Sequence, residues 1–159
     1  MKKWMLIAAL VLGAGFANAQ TPPPTAADAA IHTMVQHVDR QAHQFSFYSG
    51  DIQNWKQARA AAEQGGAHLK ADIKPALAQA EGHADLIAAI KALYISANTY
   101  FDSVNTPVPL PTYDPRRNNL YASPEALALK DSQMKMKADV DAKLNAVKLE
   151  AELAGLAAG

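Results

Sequence analysis

The chain contains no cysteine. That excludes a disulfide framework, Cys-ligated zinc or iron–sulfur sites, a thiol nucleophile and covalently attached c-type haem. It also excludes a lipid-bearing amino-terminal cysteine. Net charge is missing too: 15 Lys+Arg balance 15 Asp+Glu. The chain therefore has no basic footprint for nucleic acid and no long-range steering of anions. Long hydrophobic runs are absent. The stretches Met5–Phe16 and Leu86–Ala97 are each 12 residues, the second interrupted by Lys91, and a bilayer span needs about 20. Common catalytic signatures are also lacking, among them Gly-x-Ser-x-Gly, a Gly-rich phosphate loop and His-Glu-x-x-His. The expectation is a non-enzyme that binds no nucleic acid and, once processed, spans no membrane.

What is abundant is alanine, 34 of 159 residues, the best helix former. The amino terminus carries the clearest single signal. Met1-Lys2-Lys3 is a short positive region, Met5–Phe16 is apolar, and Ala17-Asn18-Ala19 is a small-x-small cleavage site. That is the pattern of a secretory signal peptide over residues 1–19. The expected mature chain, residues 20–159, has a net charge near −2 and is long enough to bury a core without staples. The style of the leader points to a bacterial periplasm, with extracellular secretion the alternative. Residues 20–25, Gln-Thr-Pro-Pro-Pro-Thr, read as a stiff, extended leader.

Residues 26–156 then read as one helical domain. Thr25 is placed to cap a first helix over about 26–48, whose face carries Ile31, Met34, Val35, Val38, Ala42 and Phe45. Ser49-Gly50 ends it, and Asp51 can cap the next. The second helix, about 51–80, has an apolar seam at Ile52, Trp55, Arg59, Ala62, Gly66, Leu69, Ile73, Ala76 and Ala80. Its steps alternate three and four, with Arg59 the polar exception, as in a helix packed along its length. Gly65-Gly66 and Pro75 predict a kink or brief break there. Leu86, Ile90, Leu93, Ala97, Tyr100 or Phe101, and Val104 line a third helix, about 84–104. Met136, Val140, Leu144, Val147, Ala151 and Ala154 line a fourth, about 124–156, which Ser123-Pro124-Glu125 starts with a capping serine and a first-turn proline. Asp131–Lys135 and Asp139–Lys143 are spaced for i,i+4 pairing on its solvated side. No segment alternates with period two.

The expected fold is all-α, an antiparallel up-down-up-down four-helix bundle with a long Pro-rich loop between helices 3 and 4. A three-helix or dimer-completed arrangement is the rival, and a homodimer stays open.

Two groups of residues could carry function. In the Pro-rich connection, Tyr113, Arg116, Arg117 and Tyr121 concentrate the residue types most enriched in binding hot spots. They are the candidate contacts with an envelope protein or peptide, against the plainer reading of a strap over the core's end. On helix 1, Asp28, His32, Asp39 and His43 fall within about 60° of one another at the helical period. Carboxylate and imidazole at i,i+4 can both reach a divalent metal, and His68 and Asp72 repeat that spacing on helix 2. The favoured expectation is no cofactor. The alternative is a metal- or haem-binding periplasmic bundle using this stripe. Haem held by Met and His across the core is disfavoured, because helix 4 offers Met134 and Met136 but no histidine.

Overall fold

The computed structural model describes residues 29–44, 52–107, 112–114, 119–121 and 123–156. Among them are four helices, α1 (Ala30–Gln44), α2 (Ile52–Gln79), α3 (Ala84–Val104) and α4 (Pro124–Leu153), and two short strands, β1 (Thr112–Asp114) and β2 (Asn119–Tyr121). The helices pack on one another as in a bundle. Each packs most extensively on its neighbour in sequence, and α1 also meets α4.

The apolar stripes are the reason. Ile31, Met34, Val35, Val38 and Ala42 of α1 are buried together with Leu86, Ile90, Leu93, Ala97, Tyr100, Phe101 and Val104 of α3. Val140, Leu144, Val147 and Ala151 close the core from α4, with Met136 and Ala154 packed partly against it. Burying a large aliphatic or aromatic side chain contributes roughly 1.5–3 kcal/mol, so these stripes dominate the stability of every helix that carries one.

The helix ends follow local rules where the described residues show them. Ser123 Oγ accepts the Ala126 N–H at 3.1 Å, ahead of Pro124 in the first turn, as the sequence predicts. Gly155, at φ +71°, closes α4: the Leu156 N–H donates to the Ala151 carbonyl and the Gly155 N–H to that of Glu152. This is the Schellman arrangement, which needs a left-handed residue where Gly sits. The start of α1 differs. The Ile31 N–H donates to Gln79 Oε1 at 2.8 Å, a cap supplied by the far end of α2. Thr25, Phe45, Ser49-Gly50 and Asp51 lie outside the described residues.

Three expectations need correction. First, no break occurs in α2, which stays helical through Gly65, Gly66 and Pro75, so burial along its length outweighs local propensity. Second, the seam of α2 departs from its spacing at two positions. Ala62, Leu69, Ala76 and Ala80 are buried and Ile73 packs partly against the core, as the spacing predicts. Arg59, however, is exposed, with Ala58 beside it packed on the core, and Gly65 rather than Gly66 is buried. Third, the Pro-rich connection contains secondary structure. β1 and β2 pair antiparallel, with Thr112 opposite Tyr121, Tyr113 opposite Leu120 and Asp114 opposite Asn119. Strands of three residues are too short to display an alternation that sequence could reveal.

Candidate functional site

The polar residues with the most specific tertiary contacts lie where α1 meets α2. His37 Nδ1 is 2.6 Å from Asp72 Oδ2. The His37 ring stacks on His68, with centroids 4.5 Å apart and planes inclined by 27°. The backbone explains the meeting: His37 lies beside the buried face of α1, and His68 and Asp72 are one turn apart on α2. In that contact the imidazole Nδ1–H donates to the carboxylate oxygen, which fixes the orientation of the ring. Two buried atoms nearby have no hydrogen-bond partner, His68 Nδ1 and Gln41 Oε1. Gln41 lies against Gly65, where an added Cβ would stand 3.2 Å from Gln41 Cβ and 3.0 Å from Phe101 Cε2. Gly65 therefore lets α1 and α3 close in on α2 together, as only a residue without a side chain could.

The Asp/His stripe on α1 is built differently. His32 Nε2 lies 2.7 Å from Gln36 Nε2. His43 Nδ1 lies 2.8 Å from the Asp39 carbonyl oxygen and 3.3 Å from Asp39 Oδ1. His32 and His43 are 11 positions apart, about 16 Å along the axis, too far to ligate one ion together. Asp28 lies outside the described residues. Among the described residues no three His, Asp or Glu side chains converge as a metal site.

Of the connection residues, Tyr113 and Tyr121 belong to β1 and β2, and each is paired with a different partner. Arg116 and Arg117, in the stretch joining the strands, lie outside the described residues.

A second polar contact joins α3 and α4. Buried Ser96 donates from Oγ to Asp139 Oδ2 at 2.6 Å, and Gln133 Nε2 donates to the Ser103 carbonyl at 3.0 Å. Beside the first lies a cleft of about 530 Å³ lined by Ala92, Ile95, Met136, Lys135 and Lys143 among others. Lys143 reaches Asp139 at 3.9 Å, whereas Asp131 and Lys135 form no ion pair. Ser132-Gln133-Met134-Lys135 has the Ser-x-x-Lys spacing of some acyl-transfer enzymes; its lysine is on the exposed side of α4.

Sequence reasoning paired His68 with Asp72 by spacing but left out His37, which has no acid four residues away. The available signal was its place beside Met34, Val38 and Gln41 on the edge of the apolar stripe. Burial, and then the Asp141 carboxylate, push the Tyr100 hydroxyl from 10.0 up to about 12. None of the described helices is long and apolar enough to cross a membrane. No family model, no curated protein and no solved structure matches this chain.

Proposed function

We propose that the chain is an exported helical-bundle protein that acts by binding another protein or a peptide in a bacterial envelope, without catalysis. In this reading residues 1–19 are cleaved on export to the periplasm. The four helices run up-down-up-down, which is supported by contacts that pair the start of α1 with the end of α2 and Ser96 and Ser103 of α3 with Asp139 and Gln133 of α4.

The observation that carries the binding role is the β1–β2 pairing inside the Pro-rich connection. The chain does not merely tie α3 to α4. It spends residues on a small hairpin whose joining stretch is Pro115-Arg116-Arg117-Asn118 and whose strands include Tyr113 and Tyr121. Paired strands reduce the conformational freedom a binding loop would otherwise lose on contact, which is how pre-organisation raises affinity. Arg116 and Arg117 between the strands in sequence, and Tyr113 and Tyr121 within them, are residue types suited to planar, bidentate contacts and large amphipathic ones.

The test is cross-linking in intact cells followed by purification of the chain. Arg116→Ala/Arg117→Ala is expected to lose at least tenfold of any specifically cross-linked protein, while Arg59→Ala retains it. Equal recovery with both variants removes the hairpin from the interface. A mature protein beginning at a residue other than Gln20, or one retained in the cytoplasm, would remove the export step.

A further inference from the structure

The outward side of α4 carries a mostly apolar row flanked by charged residues. Leu127, Met134, Leu149 and Leu153 are 52%, 46%, 55% and 73% exposed, with Ala138 and Ala142 exposed between them. Asp131 and Asn145 complete the row. Positions 127, 138 and 149, and likewise 131, 142 and 153, repeat every 11 residues. That period follows an almost straight helix and keeps one face aligned. α4 thus has two largely apolar faces, one spent on the core and one that no described residue covers.

We infer that a second copy of this chain covers the outer face, through antiparallel pairing of α4 with α4 about a twofold axis near Val140. The order of the residues supports this occupant. Reversing the row about position 140 returns six of its eight positions, and an isologous interface requires such self-complementarity. In that register Leu127 meets the partner's Leu153 at both ends of the seam. Ala138 meets the partner's Ala142 on both sides of the centre, where small side chains let two helices approach closely. Charge selects the direction. A parallel pair would set Asp131 against its own copy, whereas the antiparallel pair holds the two Asp131 side chains about 27 Å apart. Asp131 instead faces the partner's Leu149, and Asn145, the row's other polar residue, falls opposite the partner's Lys135. The row from 127 to 153 spans about 39 Å of a helix some 10–12 Å wide. Its footprint lies at the small end of specific interfaces, so the dimer is concentration-dependent rather than permanent.

Sedimentation equilibrium of the purified chain from about 1 µM to about 500 µM tests this. The expected result is a monomer–dimer equilibrium that Leu127→Glu/Leu153→Glu weakens at least tenfold, with helical circular dichroism unchanged. If that double variant loses helicity, Ala142→Glu, at an exposed central position, gives the same readout. Because the chain has no cysteine, L127C and L153C also report direction: mixed, they form a disulfide-linked dimer, and neither does so alone. A monomer at every concentration, a dimer indifferent to the Glu variants, or L127C linking to itself would each overturn the inference. So would a monomer in which a photo-reactive label at position 153 captures the chain's own residues 1–28, since that segment would then be the occupant.

Discussion

The two long seams of the bundle are held by different chemistry. Between α3 and α4 the contact is mainly apolar, with two hydrogen bonds at its margin, Ser96 to Asp139 and Gln133 to Ser103. Between α1 and α2 polar groups are set into the seam itself: His37 on Asp72, His37 stacked on His68, Gln79 capping α1, and Gly65 clearing the space. These directional contacts set the register of α1 on α2, which apolar area alone does not specify. An apolar stripe says that two helices pack; it takes specific polar pairs to say how one slides into place on the other.

Truncating the apolar core should have the largest effect. Leu93 is fully buried, and Leu93→Ala is expected to cost about 2–5 kcal/mol, read as a lower urea midpoint at unchanged slope. A loss under about 1 kcal/mol would mean that the core collapses readily around the missing side chain.

The next effect is confined to alkaline pH. Tyr100 has a hydroxyl pushed up to about 12 from 10.0, by burial first and by Asp141 second. Above pH 10 the unfolded chain releases this proton while the native state keeps it. Stability therefore falls as pH rises from 10 to about 12, by on the order of 2 kcal/mol, and levels off beyond. Tyr100→Phe should flatten that part of the profile; an unaltered slope would assign the loss to other groups.

The adjacent glycines of α2 sharpen the contrast further. Gly65→Ala introduces a Cβ 3.0 Å from Phe101 Cε2. Overpacking costs roughly 1–3 kcal/mol and helix propensity returns about 1, for an expected net loss of about 1–2 kcal/mol. Gly66→Ala meets nothing within 4 Å and is expected to stabilise by about 0.5–1 kcal/mol. Thermal melts that moved in the same direction for both would show that α1, α2 and α3 do not close on Gly65.

Smallest is the polar pair. Asp72→Ala should cost about 1 kcal/mol through the lost His37 contact, and a double-mutant cycle with His37→Ala should recover most of it as coupling. His32→Ala and His43→Ala, on the outer stripe, should each stay within about 0.5 kcal/mol. Elemental analysis of the same proteins, purified without chelators, tests the metal alternative directly: stoichiometric metal that both variants retain would exclude that stripe as its site.

The helices were legible because each depends on its own spacing. The described residues of α1 and α3 marked by period alone are buried, together with Ala30, Gln41 and Ser96, which the period did not mark, and Ser123-Pro124 announces α4 without help from any other element. The three-four rhythm of α2 names Ala62, Leu69, Ala76 and Ala80 correctly, but it takes Gly66 where Gly65 is the buried one. Only the approach of Phe101 and Gln41 decides which glycine lies inside. The hairpin escaped notice because strands of three residues carry too little pattern. His37 escaped because its partners lie 31 and 35 positions away.

The order of residues by itself determined that this chain forms long amphipathic helices and which sides of α1, α3 and α4 turn inward, since hydrophobic burial follows a period written locally. Tertiary structure alone decided that α2 stays whole across Pro75, which histidine finds a carboxylate, and which apolar face of α4 is left outside. Those outcomes depend on distances between segments remote in the chain, and no local period encodes them.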